Sequence, residues 1–461
     1  MHVRRRDFLA GSAALAIAPC LPAAAQAREF RLAAASARVN LVGTGYPDTD
    51  VWTFNGSVPG PVLRAKQGET LRVRYVNQLP QPSTVHWHGI RLPNAMDGVP
   101  GVTQKAVEPG GEFLYEFRLP DAGTYWYHPH ARSSEELGRG LYGALVVEEA
   151  EPPFADRDET WVLSDFRLDR EARIAPDFGQ MFDASHGGRI GNTVAVNGRV
   201  AEAFALRAGE RVRLRLLNAA NARIFRLRFE DHVPVVIALD GHPVEPHPAP
   251  EGIVLGPGMR ADVMLDAIGK PGSRHRVLDD WYRNASFRLL DLAYEPVAMR
   301  DGPVRVAATA PRANPLAEPD LARAARLKLV LGGGAMSPEL QRAAPEERQR
   351  IAQRMRGGDL WTLNGVSTRE HVHHPLFNLA RGRSYLIEVH NDTAWHHPLH
   401  LHGVAFRVVS EARRPWRDTA LVAPRERVEI AFVADNPGDW MIHCHILEHQ
   451  GAGMMATMRI E

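Results

Sequence analysis

Histidine is the residue that sets this 461-residue chain apart: there are 21 of them, and five pairs have the form His-x-His, where random placement gives about one. Four pairs, His86/His88, His128/His130, His400/His402 and His443/His445, fall at the ends of segments that read as strands. Residues two apart in a strand point the same way, so each pair offers two imidazoles to one side. Eight imidazoles brought together would be a costly cluster of buried or mutually repelling groups unless metal ions sat among them. One such pair alone reads as exposed or core histidine, but four in matched positions read as metal ligands. The fifth pair, His371 and His373 with His374 beside it, has no counterpart elsewhere and reads as a surface feature.

Cys444 lies between His443 and His445, so its side chain points away from theirs. A second site then stands back to back with the first. His449 follows five residues on and Met454 ten residues on, and His397 heads the segment His397-Pro398-Leu399-His400. Two His, one Cys and a weak axial Met are the donor set of a blue copper electron-transfer site. Met454 alone would read as core filler, and its spacing from Cys444 is what marks it as a ligand.

The elements that must position these residues come as a repeat. Trp52-Thr53-Phe54-Asn55-Gly56 recurs as Trp361-Thr362-Leu363-Asn364-Gly365, with a fainter copy at Val196-Asn197-Gly198. After each copy runs a Gly-led alternating strand that ends in Asn: Gly68 to Asn77, Gly209 to Asn218, Gly382 to Asn391. Leu71, Val73 and Tyr75, or Val212, Leu214 and Leu216, put apolar groups on one face and charges on the other, as in a half-buried sandwich strand. A second alternating strand closes each unit, at Phe113 to Phe117, Ala261 to Leu265 and Val428 to Phe432. Three β-sandwich domains are expected, at about 37–150, 151–312 and 313–461. One helix is expected from Ser337 to Arg356, with Ser337 as N-cap and Pro338 at the first helical position.

Composition supports an all-β body, since Gly 39 and Pro 34 favour many turns between short strands. With 55 basic against 54 acidic residues, the net charge of +1 gives no case for a nucleic-acid partner. Residues 1–27 read as an export signal: Arg4-Arg5-Arg6-Asp7-Phe8-Leu9, an apolar run to Ala18, and small residues up to a cleavage point after Ala27. The run is too short to span a bilayer. The paired arginines resemble a twin-arginine signal, which implies a folded, soluble protein delivered to the periplasm. Cleavage removes Cys20 and leaves Cys444 without a disulfide partner.

The segments His86-Trp87-His88-Gly89, His128-Pro129-His130, His397-Pro398-Leu399-His400-Leu401-His402-Gly403 and His443-Cys444-His445-Ile446-Leu447-Glu448-His449-Gln450-Gly451-Ala452-Gly453-Met454 resemble, in order, the copper signature of the three-domain multicopper oxidases. The resemblance implies three consecutive cupredoxin-like Greek-key domains holding four copper ions. His397, Cys444, His449 and Met454 would bind the type 1 copper, and His86 and His400 the type 2 copper. His88, His128, His130, His402, His443 and His445 would bind the type 3 pair. The implied reaction takes electrons singly from a reductant and gives four to O2, making water.

Asp97 matches the acid that relatives place near the cluster and is the candidate proton relay; the alternative is a plain turn aspartate in Met96-Asp97-Gly98. Many bacterial relatives carry a second acid after the last histidine ligand, where this chain has Gln450. Relatives that oxidise cuprous ion often have a Met-rich segment in the third domain, and an Asp and a Met before the His-Pro ligands. Here the helical segment offers Met336 and Met355 nearby, and those two positions hold Thr393 and Trp395. Laccase-like oxidation of phenols or aromatic amines therefore ranks first, with Trp395 either an apolar lip or core packing. Periplasmic cuprous oxidation in copper tolerance ranks second, and a non-enzymatic copper-binding or scaffold protein third.

Overall fold

A computed structural model describes residues 28–368 and 374–461. The expected export signal, Cys20, His371 and His373 lie outside the described residues, and His374 sits at an exposed bend. No described helix is long and apolar enough to cross a membrane.

The strands form six sheets in which one pattern occurs three times. An opening strand (Arg28–Val39, Arg157–Phe166 or Ala325–Gly333) pairs antiparallel with a short hairpin partner ending near Phe54, Val196 or Leu363. On its other side it pairs parallel with the Gly-led strand, Thr70–Asn77, Arg211–Asn218 or Ser384–Asn391. The closing strand, Glu112–Arg118, Arg260–Asp266 or Arg427–Val433, pairs antiparallel with the Gly-led strand, and in the second and third copies two further strands extend the sheet beyond it. This is the all-β, three-domain architecture read from the repeats.

The Asn-Gly motifs work identically in each copy. Asn55, Asn197 and Asn364 take φ of 55°, 52° and 50°, a conformation Asn tolerates better than most residues. Each Oδ1 accepts the amide of the opening strand, from Ala33, Val162 or Val330. Each Nδ2 donates back to the same strand, to Arg31, Thr160 or Lys328. The strand-ending Asn77, Asn218 and Asn391 likewise pin the following loop, donating to two backbone carbonyls apiece or more.

The second sheets also correspond. His86–His88 pairs with Gly123–His128 as His397–Leu401 pairs with Gly438–Cys444. The equivalent strands of the middle unit, Phe225–Phe229 and Arg274–Asp279, carry no His-x-His pair. Among the described residues, the groups that could hold a metal ion lie in the first and third copies, whose buried side chains run together in one apolar cluster.

Two expectations need correction. The Gly-led strand of the middle unit is buried on both faces, not one. Arg213 and Arg215 on its polar side meet Glu149, Asp158 and Asp262, because that side packs against the first unit. The expected single helix is two, Pro338–Arg342 and Pro345–Arg356. Ser337 caps the first by accepting from the Glu339 amide, but Pro345 cannot continue it and forces Ala344 into extended geometry at ψ 159°.

Candidate metal centres

The eight paired histidines converge between the first and third units, and all eight are buried. Their rings pack within touching distance: His86 and His402 lie 3.9 Å apart, His88 and His400 3.7 Å, and His130 and His443 5.2 Å. Burial, followed by the neighbouring imidazoles, holds His88, His128, His130, His400, His402 and His445 well below the usual histidine pKa. Burial takes His443 down to about 4. Neutral rings leave one nitrogen as a donor and one as a lone pair.

The hydrogen bonds fix which nitrogen is which. His86 Nδ1 donates to Asp97 O at 2.9 Å, His400 Nδ1 to Asp418 O at 2.8 Å, His128 Nδ1 to Pro129 O at 3.0 Å and His443 Nδ1 to Cys444 O at 2.9 Å. His402 Nδ1 donates to Asp97 Oδ2 at 2.9 Å, and His88 is reversed, its Nε2 donating to Asp418 Oδ1 at 3.0 Å. The remaining nitrogens of His86, His88, His128 and His400 are buried without a partner, as are His130 Nε2 and both nitrogens of His445. His402 Nε2 and His443 Nε2 face each other at 3.1 Å as two lone pairs. Each unsatisfied buried acceptor costs about 1–3 kcal/mol, so this arrangement fits a group of cations and little else. Donor atoms of His86, His400 and His402, of His86, His88 and His128, and of His130, His402 and His443 each lie within 4.8 Å of one another.

The second centre has the same logic. His397 Nδ1, Cys444 Sγ and His449 Nδ1 form a triangle with sides of 3.4, 3.7 and 3.2 Å. His397 Nε2 donates to Thr393 Oγ1 at 2.8 Å and His449 Nε2 to His186 O at 2.6 Å, so both Nδ1 lone pairs point inward. Burial takes His449 down to about 3 and pushes the Cys444 thiol well up, so a soft cation is what would hold sulfur as thiolate here. Met454 is fully buried beside them; its amide donates to His449 O and its carbonyl accepts from Cys444 N. Cys444 ends the strand Gly438–Cys444, and its Sγ faces this centre while the rings of His443 and His445 lie in the other.

Several contacts that shape the centres escaped the sequence reading. Asp418, which holds His88, is gripped by the buried guanidinium of Arg260 at 2.6 and 2.7 Å. Thr393 orients His397, and the Trp361 ring packs 4.2 Å from His449. Glu448 accepts from Ser134 Oγ, from Asn221 Nδ2 at 3.1 Å and from the Arg189 amide at 3.0 Å, tying the last ligand turn to the other two units. Asp97, in its turn, is buried against His86 and His402. Gln450 is buried too and lines a cavity of about 550 Å³ with His130, Met441 and Met455. Trp395 is half-buried, its Nε1 donating to Ala335 O.

Family models described as multicopper oxidase match residues 36–152, 172–286 and 342–461. The crystal structure of a multi-copper oxidase from Pseudomonas thermotolerans superposes with a TM-score of 0.83 at 36% identity, covering 95% of this chain and 100% of that one. Multicopper oxidase MmcO of Mycobacterium tuberculosis is 30% identical over 92% of this chain and 85% of its own length. Laccase-2 of Botryotinia fuckeliana is 29% identical over 87% of this chain and 77% of its own. By sequence, fold and the convergence of its buried histidines, the chain belongs to the multicopper oxidase family, copper oxidoreductases that use O2.

Proposed function

We propose that this protein oxidises phenols or aromatic amines one electron at a time and couples four such events to the reduction of O2 to two waters. His397, Cys444, His449 and Met454 hold a type 1 copper. His86 and His400 hold a type 2 copper, and His88, His128, His130, His402, His443 and His445 a type 3 pair. Bound copper supplies the one-electron redox chemistry at the first centre and the four-electron reduction of O2 at the second. The observation that carries this reading is the set of inward lone pairs, each fixed by a hydrogen bond on the far nitrogen of its ring.

The tripeptide His443-Cys444-His445 joins the two centres covalently, with His443 Nδ1 also donating to Cys444 O, and serves as the path between them. Asp97 is the proton relay: its carboxylate accepts from His402 Nδ1 at 2.9 Å and lies 3.3 Å from His86 Nδ1. The three units, the first opening with the strand Arg28–Val39, act as one enzyme, and residues 1–27 direct it to the periplasm. Oxidation of Cu(I) is the second reading, favoured by two exposed thioethers, Met181 and Met336, whose segments are joined by the Ala335 amide donating to Ser185 O at 2.7 Å.

Oxygen uptake by copper-loaded protein tests both, with a methoxyphenol in one cell, Cu(I) in another, and Cys444→Ser as the blank. Faster uptake with the phenol supports laccase-like oxidation, and faster uptake with Cu(I) replaces it with the cuprous reading. Uptake with neither sinks the proposed activity.

A further inference from the structure

The imidazole edge of His449 that points away from Cys444 is not open to solvent: His449 is fully buried, and its Nε2 donates to the backbone carbonyl of His186. The covering segment is fixed from several sides. Arg167 holds Asp183 at 2.7 Å, Trp361 Nε1 donates to Ala184 O at 2.6 Å, and the Arg189 amide donates to Glu448 Oε2. Gly188, at φ 83°, permits the close approach, since a Cβ there would stand 2.5 Å from Ile446 and from Ala222. Lifting this segment would break several buried bonds, so a donor molecule does not reach His449 itself.

On the outward side of the same peptide the surface is aromatic. Phe182 is 68% exposed and stacks on the His186 ring at 4.2 Å and 19°. Trp395 meets His186 edge-on at 5.3 Å and 66°. His186 Nδ1 donates to Phe182 O at 3.0 Å, which leaves its Nε2 as an acceptor.

We propose that the reducing substrate is a planar aromatic donor that docks on the Phe182, His186 and Trp395 face, and that its electron enters through the His186 peptide rather than at His449. The inference rests on the oxidase reading above and specifies where that reading's substrate sits. A phenol gives up one electron and its hydroxyl proton, becoming a phenoxyl radical. The proton leaves to solvent water, which reaches the exposed Phe182 side of this face. The electron would leave along the His186 C=O and the Nε2–H of His449, a ring that would hold the one-electron acceptor, copper, in that reading.

Two measurements on the copper-loaded enzyme test this. In Phe182→Ala and His186→Ala, kcat/KM for 2,6-dimethoxyphenol divided by kcat/KM for hexacyanoferrate(II), which needs no aromatic contact, falls about tenfold, the worth of one stacking contact. The change sits in KM. With the fully reduced enzyme under argon, saturation-transfer NMR to 1,2-dimethoxybenzene weakens in the same variants. An unchanged ratio in both variants, or an undiminished saturation transfer, overturns the docking face. Failure of the wild type to consume oxygen with hexacyanoferrate(II) is a different result and strikes at the oxidase reading itself.

Discussion

Replacing Asp418 by alanine strands the most deeply buried cation near the metal centres. Arg260 is wholly buried and donates through Nη1 and Nη2 to the two Asp418 oxygens at 2.7 and 2.6 Å. Its other bonds, to Thr124 O and Gly258 O, bring no charge. Removing one partner of such a pair costs about 3–5 kcal/mol, because the remaining charge stays out of water. The structure places Asp418→Ala at the lower end of that range. Asp240 lies 3.6 Å from Arg260 Nη1, and burial together with the charge of Asp418 pushes its carboxyl up to about 6. Without Asp418 that repulsion goes, Asp240 ionises more readily, and Arg260 keeps one counter-charge. We expect a loss of about 3 kcal/mol at pH 7, and more than about 5 kcal/mol when Asp240→Asn is added. His88 Nε2 also loses its charged acceptor and keeps only Thr419 Oγ1 at 3.2 Å, which lowers copper affinity by about 10-fold. Urea unfolding of the copper-free variants and copper titration of the folded ones measure the two effects. A single variant within about 1 kcal/mol of wild type, and a double variant no worse, would refute the reasoning.

Other perturbations probe other parts of the argument. Glu136 is fully buried, and burial pushes its carboxyl up to about 8 despite bonds from Ser83 and Gln81. Its folded pKa lies above the unfolded value, so the stability it contributes is present below about pH 4.5 and lost as pH rises through 8. Glu136→Gln should therefore gain on wild type across that window, by up to about 5 kcal/mol in urea melts at pH 9; parallel pH profiles would show that the carboxyl is not buried neutral. Asn197→Ala removes two hydrogen bonds and the residue suited to φ 52°, and should cost about 1–3 kcal/mol while leaving the visible copper spectrum intact. Gly188→Ala forces a Cβ against Ile446 and Ala222; a drop in melting temperature together with an altered visible band is expected, and an unchanged spectrum counts against the His186 to His449 bond.

How far the sequence carried depended on whether a contact leaves a local trace. The convergence of the paired histidines was legible because strand period two put both rings of each pair on one side, and because Cys444 between His443 and His445 had to face away from them. The hairpins were legible because Asn-Gly encodes its own turn at Asn55, Asn197 and Asn364. Pro345 was legible too, and reading one helix through it underweighted what a proline does to the residue before it. The partners of the ligands left no such trace. Asp418 meets Arg260, Glu448 meets the Arg189 amide, and His449 meets the His186 carbonyl across separations of 158, 259 and 263 residues, without any period or motif. The arginines of the middle strand looked like a solvated face because the alternation that marks a polar side is silent about what covers it.

The division of histidines between the first and third copies has a consequence in time as well as in space. Half of the shared cluster is made when His130 has been synthesised, but the other half begins at His400 and is complete only at His445. The strand that positions His443 is itself held by the last one, Met455–Ile460. The cluster is therefore finished only once residues 400–445 have joined residues 86–130, and disturbing the strand Met455–Ile460 would loosen the support behind His443.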